Sequence, residues 1–289
     1  ATTGQQLFKL LPDDGAPADL FGISVAISGT RAIVGAYGND DNGEDSGAAY
    51  VFDTTTGQQL FKLLPETGAA YEYFGASVAI DGTTAVVSAS GDDDFGYTSG
   101  AAYLFDATTG QQLFKLLPDD AAERIAFGAD VAISGTTAII GANRDDDNGS
   151  GSAYLFDITT GQQIAKLLPT DGSSGDYFGG SVAISGTTAI VGAYGFGEPF
   201  MTIGAAYLFD TTTGQQLARI VADDAADLDY YALAASISGT TAIVGAYADD
   251  DNGSYSGSAY LYDVVTLGFA GDCNANGLNA FVDLFHNHT

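Results

Sequence analysis

The chain has 289 residues, 46% of them hydrophobic, and carries 37 acidic against 8 basic residues, for a formal net charge of -29. A surface of this charge repels nucleic acid and anionic membranes, so we exclude both as partners and expect an affinity for cations. The sequence holds no apolar run long enough to span a membrane and no visible signal peptide. Its single cysteine, Cys273, rules out an internal disulfide framework but could link two chains.

An internal repeat dominates the sequence. The tetrapeptide Thr-Gly-Gln-Gln recurs every 51 to 53 residues, and each copy is followed by a Phe-Gly pair or by its counterpart Tyr231-Ala232. The tetrapeptides begin at Thr3, Thr56, Thr109, Thr160 and Thr213. The Phe-Gly pairs begin at Phe21, Phe74, Phe127 and Phe178. A period of this length predicts a solenoid, a propeller or another repeat array.

Each repeat contains four short runs with strand character. In the first repeat they are residues 24–28, 32–36, 48–52 and 58–64, which are rich in β-branched and aromatic residues and bounded by Gly, Asp, Ser and Thr. The turn between the first two runs contains Gly29, which can adopt the positive φ of a tight hairpin. No run has helical spacing. Four antiparallel strands per repeat predict an all-β fold in which each repeat builds one β-propeller blade.

The order of the runs predicts how the ring closes. The chain has five copies of the first three strands, and its five copies of the Gln-Gln strand begin with residues 5–11, before the first Phe-Gly pair. We therefore predict a five-bladed propeller of four-stranded blades over residues 1–265, closed by pairing of residues 5–11 with 259–263. The same two pieces could instead join neighbouring chains head to tail. Residues 266–289 form a separate C-terminal tail.

The stretch FGISVAISGTRAIVGAYGNDDNGEDSGAAYVFD, residues 21–53, resembles the FG-GAP repeat of integrin α-subunit propellers. It is closer to the secreted bacterial proteins built from such repeats, and the resemblance recurs in all five units. It implies the propeller fold and an extracellular, adhesive role. Integrin propellers usually have more blades, however, and their calcium loops lie in the hairpin between the first two strands. Here that hairpin is a short turn without ligands, so calcium binding cannot be transferred from the resemblance.

Acidic loops after the second strand of four repeats are candidate calcium sites. Calcium binds oxygens of carboxylates, amides and backbone carbonyls, and adjacent aspartates repel each other unless a cation offsets their charge. The fourth repeat lacks the pattern, and a solvated loop that keeps the protein soluble is the alternative. The predicted ligands are Asn39, Asp41, Asp92, Asp94, Asp145, Asp147, Asp249 and Asp251. The acids before the Phe-Gly positions that could join them are Asp19, Glu72, Asp176 and Asp229.

The C-terminal tail carries one further motif with calcium-loop spacing. Asp272, Asn274 and Asn276 fall on the first, third and fifth positions of such a loop, with Gly277 at the turning position and Asp283 at its end. The motif resembles one half of a dockerin repeat, which normally has two such loops. A tail that binds no metal is the alternative.

Three Asn-x-Ser/Thr triplets could carry glycan in a secreted protein, although chance accounts for them equally well in so Ser/Thr-rich a sequence. Their asparagines are Asn148, Asn252 and Asn287. The only histidines, His286 and His288, lie in the last four residues, which gives catalysis little support.

Two alternatives to a purely adhesive or structural role remain open. The exposed aromatic residues Tyr37, Tyr194 and Tyr247 could stack on sugars, as in a lectin, or pack between blades. A glycan-active hydrolase or lyase would need acids that break the repeat, and Asp81 and Asp130 are the candidates because they replace serines of other repeats.

We predict a secreted, non-catalytic β-propeller that acts in adhesion or as a structural subunit of an extracellular matrix, fibre or surface layer, stabilised by calcium. Its location would be extracellular or at the cell surface. Its partner would be an extracellular protein or a glycan, with self-association into an oligomer or filament as a further possibility.

Overall fold

The computed structural model describes residues 4–145, 149–197 and 202–264. Within these ranges the chain forms nineteen β-strands and no helix, and hence no helix that could cross a membrane. The strands form five antiparallel sheets that follow one another along the chain. The predicted all-β fold and the five blades are confirmed. The predicted tail, residues 266–289, lies outside the described residues.

The strands follow the sequence order within each blade. Blade 1 comprises β1 (Val25–Ser28), β2 (Arg31–Ala36), β3 (Ala48–Asp53) and β4 (Gln59–Leu63). Blade 2 comprises β5 (Val78–Asp81), β6 (Thr84–Ala89), β7 (Ala101–Asp106) and β8 (Gln112–Leu116). Blade 3 comprises β9 (Phe127–Ser134), β10 (Thr137–Ala142), β11 (Ser152–Asp157) and β12 (Gln162–Leu167). Blade 4 comprises β13 (Phe178–Ser185), β14 (Thr188–Ala193), β15 (Ala205–Asp210) and β16 (Gln216–Ile220). Blade 5 comprises β17 (Tyr231–Ser238), β18 (Thr241–Ala246) and β19 (Ser258–Asp263).

Hydrophobic side chains between neighbouring blades form the core. Ile33 and Val51 of blade 1 pack in one cluster with Val78 and Ile80 of blade 2, and all four side chains are buried. The same arrangement recurs at the following junctions. Burying a side chain of this size contributes about 1.5–3 kcal/mol. Packing against the preceding blade therefore accounts for the large apolar residues Val78 and Ile80 of the first strand of blade 2.

The Phe-Gly pair joins each blade to the one before it. Phe74 is fully buried, and its ring meets that of Tyr103 edge-on at 5.5 Å between centroids. Gly75 has a φ of +90°, and its carbonyl oxygen would lie 1.9 Å from a Cβ added to Gly35 of blade 1. The close approach of the two backbones thus favours glycine at both positions.

The predicted pairing of residues 5–11 with 259–263 is absent from the structure. Residues 4–11 form no strand, and the sheet of blade 5 has three strands. The N-terminal segment lies on blade 1 instead, where the Phe8 ring is beside Gly57 as the Phe61 ring is beside Gly110. Val25 of blade 1 and Leu261 of blade 5 are 69% and 71% exposed, so the two terminal blades do not pack against each other. A closed ring requires the rotations between successive blades to bring blade 5 back against blade 1. In this structure they do not.

Candidate functional site

The antiparallel order of the strands places two kinds of loop at the same end of every blade. The loops between the second and third strands carry the aspartate clusters, and the loops that lead into the first strand carry the acids before the Phe-Gly positions. We call this end the acidic end. The Ser-Gly-Thr and Thr-Thr-Gly turns lie at the opposite end. The topology therefore gathers all the described candidate ligands on one surface.

In blades 1, 2 and 5, the first acid or amide of the acidic loop closes its own loop. Asn39 Oδ1 accepts the backbone N–H of Asp41 at 3.2 Å, and Asp249 Oδ1 accepts that of Asp251 at 2.9 Å. Asp92 bonds to the N–H of Asp94 in the same way and is 1% exposed. The structure thus brings these predicted ligands together in pairs. However, one side-chain oxygen of Asn39, Asp92 and Asp249 already accepts a hydrogen bond from a backbone N–H group.

A lysine of the outer strand contacts the acids in each of the first three blades. Lys62 Nζ lies 2.6 Å from Asp14 and 2.5 Å from Asp41, and 5.4 Å from the centre of the Tyr50 ring. The cross-strand register explains the contact, because Tyr50 pairs with Lys62. Lys115 and Lys166 make the equivalent contacts in blades 2 and 3, with Asp92 and Asp94 and with Asp120 and Asp145 respectively.

Contacts between the lysines and the acids shift the pKa values of Lys62 and Asp145. Burial disfavours the Lys62 ammonium, but its hydrogen bonds to Asp14 and Asp41 outweigh this effect and raise the pKa of Lys62. Burial likewise opposes ionisation of Asp145, whereas hydrogen bonds from Ser152, Tyr154 and Lys166 hold the pKa of Asp145 below its ordinary value. These contacts favour the charged form of Asp145, and in each of the first three blades a lysine offsets the negative charge of the acids.

This lysine bears directly on the predicted calcium sites. In blades 1 to 3 it contacts carboxylates that were expected to coordinate the ion, so calcium would have to displace an ammonium group there. Among the described residues, no group of three or more His, Cys, Asp and Glu side chains is arranged to hold a metal ion. Calcium binding stays a prediction. The predicted residues Asp147, Asn148, Asp272, Asn274, Asn276, Asp283 and Asn287 lie outside the described residues.

Blades 4 and 5 depart from the lysine pattern. In blade 4, Arg219 pairs with Asp171 and lies 5.1 Å from the centre of the Phe196 ring. In blade 5, the Tyr260 hydroxyl lies 2.9 Å from Asp224 and 2.8 Å from Asp249, and no basic side chain of the described residues pairs with either acid. Within the described part of the chain, the acidic loop of blade 5 therefore has no basic partner.

The acids before the Phe-Gly positions close the loops that lead into the blades. Asp19 Oδ2 accepts the N–H of Ala16 at 2.7 Å, and Asp176 and Asp229 accept equivalent bonds. Glu72 stands at the same position in blade 2 but has one more methylene group. Its Oε2 atom is buried and has no hydrogen-bond partner. Burial raises the pKa of Glu72 to about 7, while a backbone hydrogen bond from Ala69 acts in the opposite direction.

We predict that Glu72→Gln stabilises the protein at pH 8 but not near pH 4.5. The pKa of Glu72 is raised from 4.5 to about 7 on folding, so the folded state holds its proton over a range in which the unfolded state releases it. Stability is therefore lost as pH rises through that range, by up to about 3 kcal/mol. Urea unfolding at the two pH values measures the effect. Asp19→Asn, at the equivalent position of blade 1, is the control, and an equal gain there would contradict the explanation.

The match to a known protein family recurs once in every repeat. A family described as the FG-GAP repeat matches residues 5–52, 58–105, 111–156, 162–209 and 215–262. The chain belongs to the FG-GAP repeat family. Each matched unit begins in or just before the outer-strand segment of one blade and ends in the third strand of the next. An FG-GAP unit thus spans a blade junction, which explains why an outer-strand segment precedes blade 1 and why the last match ends in β19.

One solved structure shows the same fold in a distant sequence. Hydrazine synthase of Kuenenia stuttgartiensis superimposes with a TM-score of 0.58 at 11% identity, covering 88% of this chain and 66% of that chain. The FG-GAP chain thus spans about two thirds of the length of that chain, and at this identity the likeness concerns the fold alone. A search of curated protein sequences found no match.

The two acids that break the FG-GAP repeat pattern hold neighbouring blades together. Asp130 Oδ2 accepts the N–H of Val182 in the next blade at 2.9 Å, as Ser181 Oγ accepts that of Ala235. Asp81 accepts the N–H of Gly135. Both aspartates therefore do what serines do at the equivalent positions of other blades, and their hydrogen bonds give no indication of a catalytic pair.

Several aromatic side chains are exposed at the acidic end. Tyr194 stacks on Tyr177 at 4.9 Å, and Tyr247 stacks on Tyr230 at 5.5 Å while remaining 54% exposed. Tyr37 packs edge-on against Tyr73 of the next blade. Three further exposed rings were not predicted from the sequence. They belong to Phe95, Tyr97 and Tyr255, which lie in the acidic loops and are 53%, 72% and 69% exposed. Their position inside the aspartate-rich loops is the sequence feature from which their exposure could have been predicted. Asn252, a predicted glycosylation site, is exposed in the same region.

Proposed function

We propose that this FG-GAP propeller is a non-catalytic adhesion or structural module that works outside the cell. The observation that carries the proposal is the set of contacts that its acidic side chains make. Those that break the repeat bond to backbone N–H groups of neighbouring blades, and the acidic loops of blades 1 to 3 are paired with lysines. A catalytic site would instead need titratable groups left free to act on a substrate. Four similar acidic loops on one surface are better suited to binding an extended or repetitive partner.

A lectin-like module is the second candidate, and the exposed aromatic residues favour it. Tyr97 and Tyr255 lie one position apart in the register of the acidic loops of blades 2 and 5, next to carboxylates that could accept hydrogen bonds from sugar hydroxyls. Aromatic faces stack on the apolar faces of sugars, which is a common mode of glycan binding. The two candidates differ in the chemical class of ligand, a protein surface or a glycan.

Binding of the purified chain to a glycan array and to immobilised extracellular-matrix proteins tests both candidates. We expect Tyr97→Ala combined with Tyr255→Ala to reduce binding at least tenfold, because two exposed rings of the binding surface are removed. Leu113→Ala, an exposed residue of β8, is the control. Matrix binding without glycan binding supports adhesion, and the reverse supports the lectin. Turnover of a polysaccharide by the same preparation would contradict both.

We also propose that calcium binds the acidic loop of blade 5. Asp224, Asp249 and Asp251 lack the lysine found in blades 1 to 3, and the charges of Asp249, Asp224 and Asp229 contribute to raising the pKa of Asp251. Millimolar calcium should raise the melting temperature by mass action. Asp251→Asn should reduce that gain, whereas Asp94→Asn, whose carboxylate pairs with Lys115, should not. An unchanged melting temperature at low salt would leave this loop as a solvated acidic surface.

A further inference from the structure

A cleft of about 440 Å³ opens between blades 3 and 4, at the end of the propeller opposite the acidic end. Its walls are the β9–β10 hairpin, the β13–β14 hairpin and the turn that follows β15, and Ile164 of β12 lines it as well. The other lining residues are serines, threonines and glycines, so the cleft itself carries no charged group. Its volume lies within the range of about 300–1,000 Å³ that is typical of ligand sites.

At the junction of blades 1 and 2, an arginine side chain occupies the corresponding place. Arg31, the first residue of β2, extends to blade 2, where its Nε–H group donates to the carbonyl oxygen of Ala107 at 3.0 Å. In the repeat, Arg31 corresponds to Thr137, and Ala107 corresponds to Thr211. Both threonines line the cleft. The cleft between blades 3 and 4 therefore lies where a guanidinium group bridges blades 1 and 2.

The acceptor that Arg31 uses is held in the same way at both junctions. The N–H of Ala107 donates to the carbonyl oxygen of Thr83 at 2.8 Å, and the N–H of Thr211 donates to that of Thr187 at 2.9 Å. Within the described part of the chain, no group donates a hydrogen bond to the carbonyl oxygen of Thr211. Thr211 is only 5% exposed. Its carbonyl oxygen is thus an acceptor that a donor bound in the cleft could use.

A large apolar side chain is also replaced beside the cleft. At the junction of blades 1 and 2, the Phe61 ring covers the turn of blade 2 and would lie 2.7 Å from a Cβ added to Gly110. The residue of blade 3 that corresponds to Phe61 is Ala165. Its methyl group would lie 3.2 Å from a Cβ added to Gly214, the counterpart of Gly110. The junction of blades 3 and 4 thus has small residues at both positions where the first junction has large ones, which accounts for the open space.

The charges around the cleft favour a cationic ligand. Asp157 is the cross-strand partner of Thr137, and Asp210 directly precedes Thr211. Hydrogen bonds from the threonines that follow them hold the pKa of both aspartates below its ordinary value, so both are charged at neutral pH. No lysine or arginine occurs in the segments that form the walls, residues 127–142, 178–193 and 205–216. A cation in the cleft would therefore be attracted from both sides.

We propose that the cleft between blades 3 and 4 binds the guanidinium group of an arginine side chain of a partner protein. The guanidinium would donate to the carbonyl oxygen of Thr211, as Arg31 does to that of Ala107, and its methylene groups would pack against Ile164. Arginine fits better than lysine because its planar head presents several N–H donors at fixed angles. An arginine within a polypeptide fits better than free arginine, because the nearby aspartates repel an α-carboxylate. The site lies away from the acidic end, and it does not depend on the ligand binding proposed there.

Calorimetric titration of the full chain tests the class of ligand. The probes are free arginine and the N-acetyl methylamides of arginine, lysine and citrulline, the last of which keeps the shape of arginine without its charge. We expect saturable binding of one equivalent of the arginine methylamide, weakened by salt, and about tenfold weaker binding of the citrulline compound, because a hydrogen bond from a charged donor is the stronger one. Absence of saturable binding, or equal or tighter binding of citrulline, lysine or free arginine, would overturn the proposal.

Two variants that fill the cleft test its location. Thr137→Arg supplies the side chain that Arg31 provides at the first junction, and it should raise the melting temperature and weaken binding of the arginine methylamide by about tenfold or more. Ala165→Phe restores the ring of Phe61 and should weaken binding similarly. Leu113→Arg, which adds the same charge at an exposed position of blade 2, should bind as the wild type does.

Circular dichroism checks that these variants are folded. A folded Thr137→Arg or Ala165→Phe protein that binds the arginine methylamide as tightly as the wild type would show that the ligand sits elsewhere and would overturn the proposal. Neither a matrix protein nor a glycan is present in these titrations. A loss of matrix or glycan binding at the acidic end therefore leaves the arginine site standing, and the reverse also holds.

Discussion

Lys115→Met is expected to lower the free energy of unfolding by about 3 kcal/mol, the lower end of the range for breaking a buried ion pair. The substitution leaves Asp92 charged with a side chain that is 1% exposed. The Tyr103 hydroxyl and the N–H of Asp94 still bond to Asp92, which limits the loss. Urea unfolding monitored by tyrosine fluorescence measures the difference.

The matched control for this variant is Lys62→Met in blade 1. Lys62 occupies the same strand position, but its partners Asp14 and Asp41 have side chains that are 46% and 47% exposed. Water can solvate those carboxylates when the lysine is removed, so we expect a loss of about 0–1 kcal/mol. Equal losses of unfolding free energy in the two variants would show that packing of the lysine methylene groups, rather than burial of the partner aspartate, determines the loss.

Gly141→Ala is expected to destabilise the protein by about 2–3 kcal/mol through overpacking at the junction of blades 3 and 4. The new Cβ would lie 2.0 Å from the carbonyl oxygen of Gly179, so the blades must move apart. The junction of blades 2 and 3 shows how much movement a side chain requires. At that junction, Ser88 stands where blade 3 has Gly141. A Cβ added to Gly128 would lie 2.7 Å from the carbonyl oxygen of Ala101, whereas a Cβ added to Gly179, the equivalent residue at the junction of blades 3 and 4, would lie 2.1 Å from that of Ser152. The backbones are thus farther apart where a side chain is present.

Gly245→Ala is the control for the junction, because the same position in blade 5 faces no following blade. Its nearest neighbour would be 3.7 Å from the new Cβ, which is ordinary contact, and the backbone does not require glycine there. We expect a change within about 0.5 kcal/mol, as for a surface substitution. Thermal unfolding compares the two variants. A Gly245→Ala loss as large as that of Gly141→Ala would mean that this face of blade 5 is packed against another blade.

Strand identity could be predicted because it depends on residues close together in sequence. Short β-branched and aromatic runs separated by Gly and Asp turns indicate β2 or β11 from a handful of neighbouring residues, and the repeat multiplied that signal five times. The clustering of the acidic loops at one end followed from the same strand order. The sequence thus determined the fold class, the number of blades and the surface that carries the acids.

The chemistry of that surface depended on contacts that the strand pattern does not specify. Lys62 meets Asp41 and Asp14, which are 21 and 48 residues away, only because the outer strand pairs with Tyr50 in one particular register. The aspartates were therefore interpreted as calcium ligands before their lysine partners were visible. In the same way, the unpartnered oxygen of Glu72 results from one extra methylene group in a loop of fixed length.

Ring closure was the feature that only the tertiary structure decided. The counting of strands showed that one outer strand was spare and one was missing, but closure within the chain also requires the blade-to-blade steps to add up to a full turn. That sum is set by side-chain packing at each junction, such as the Gly35 and Gly75 contact, and not by the pattern of any single repeat. The sequence alone therefore determined how the repeats divide into blades, and the packing between blades decided that Val25 and Leu261 remain exposed.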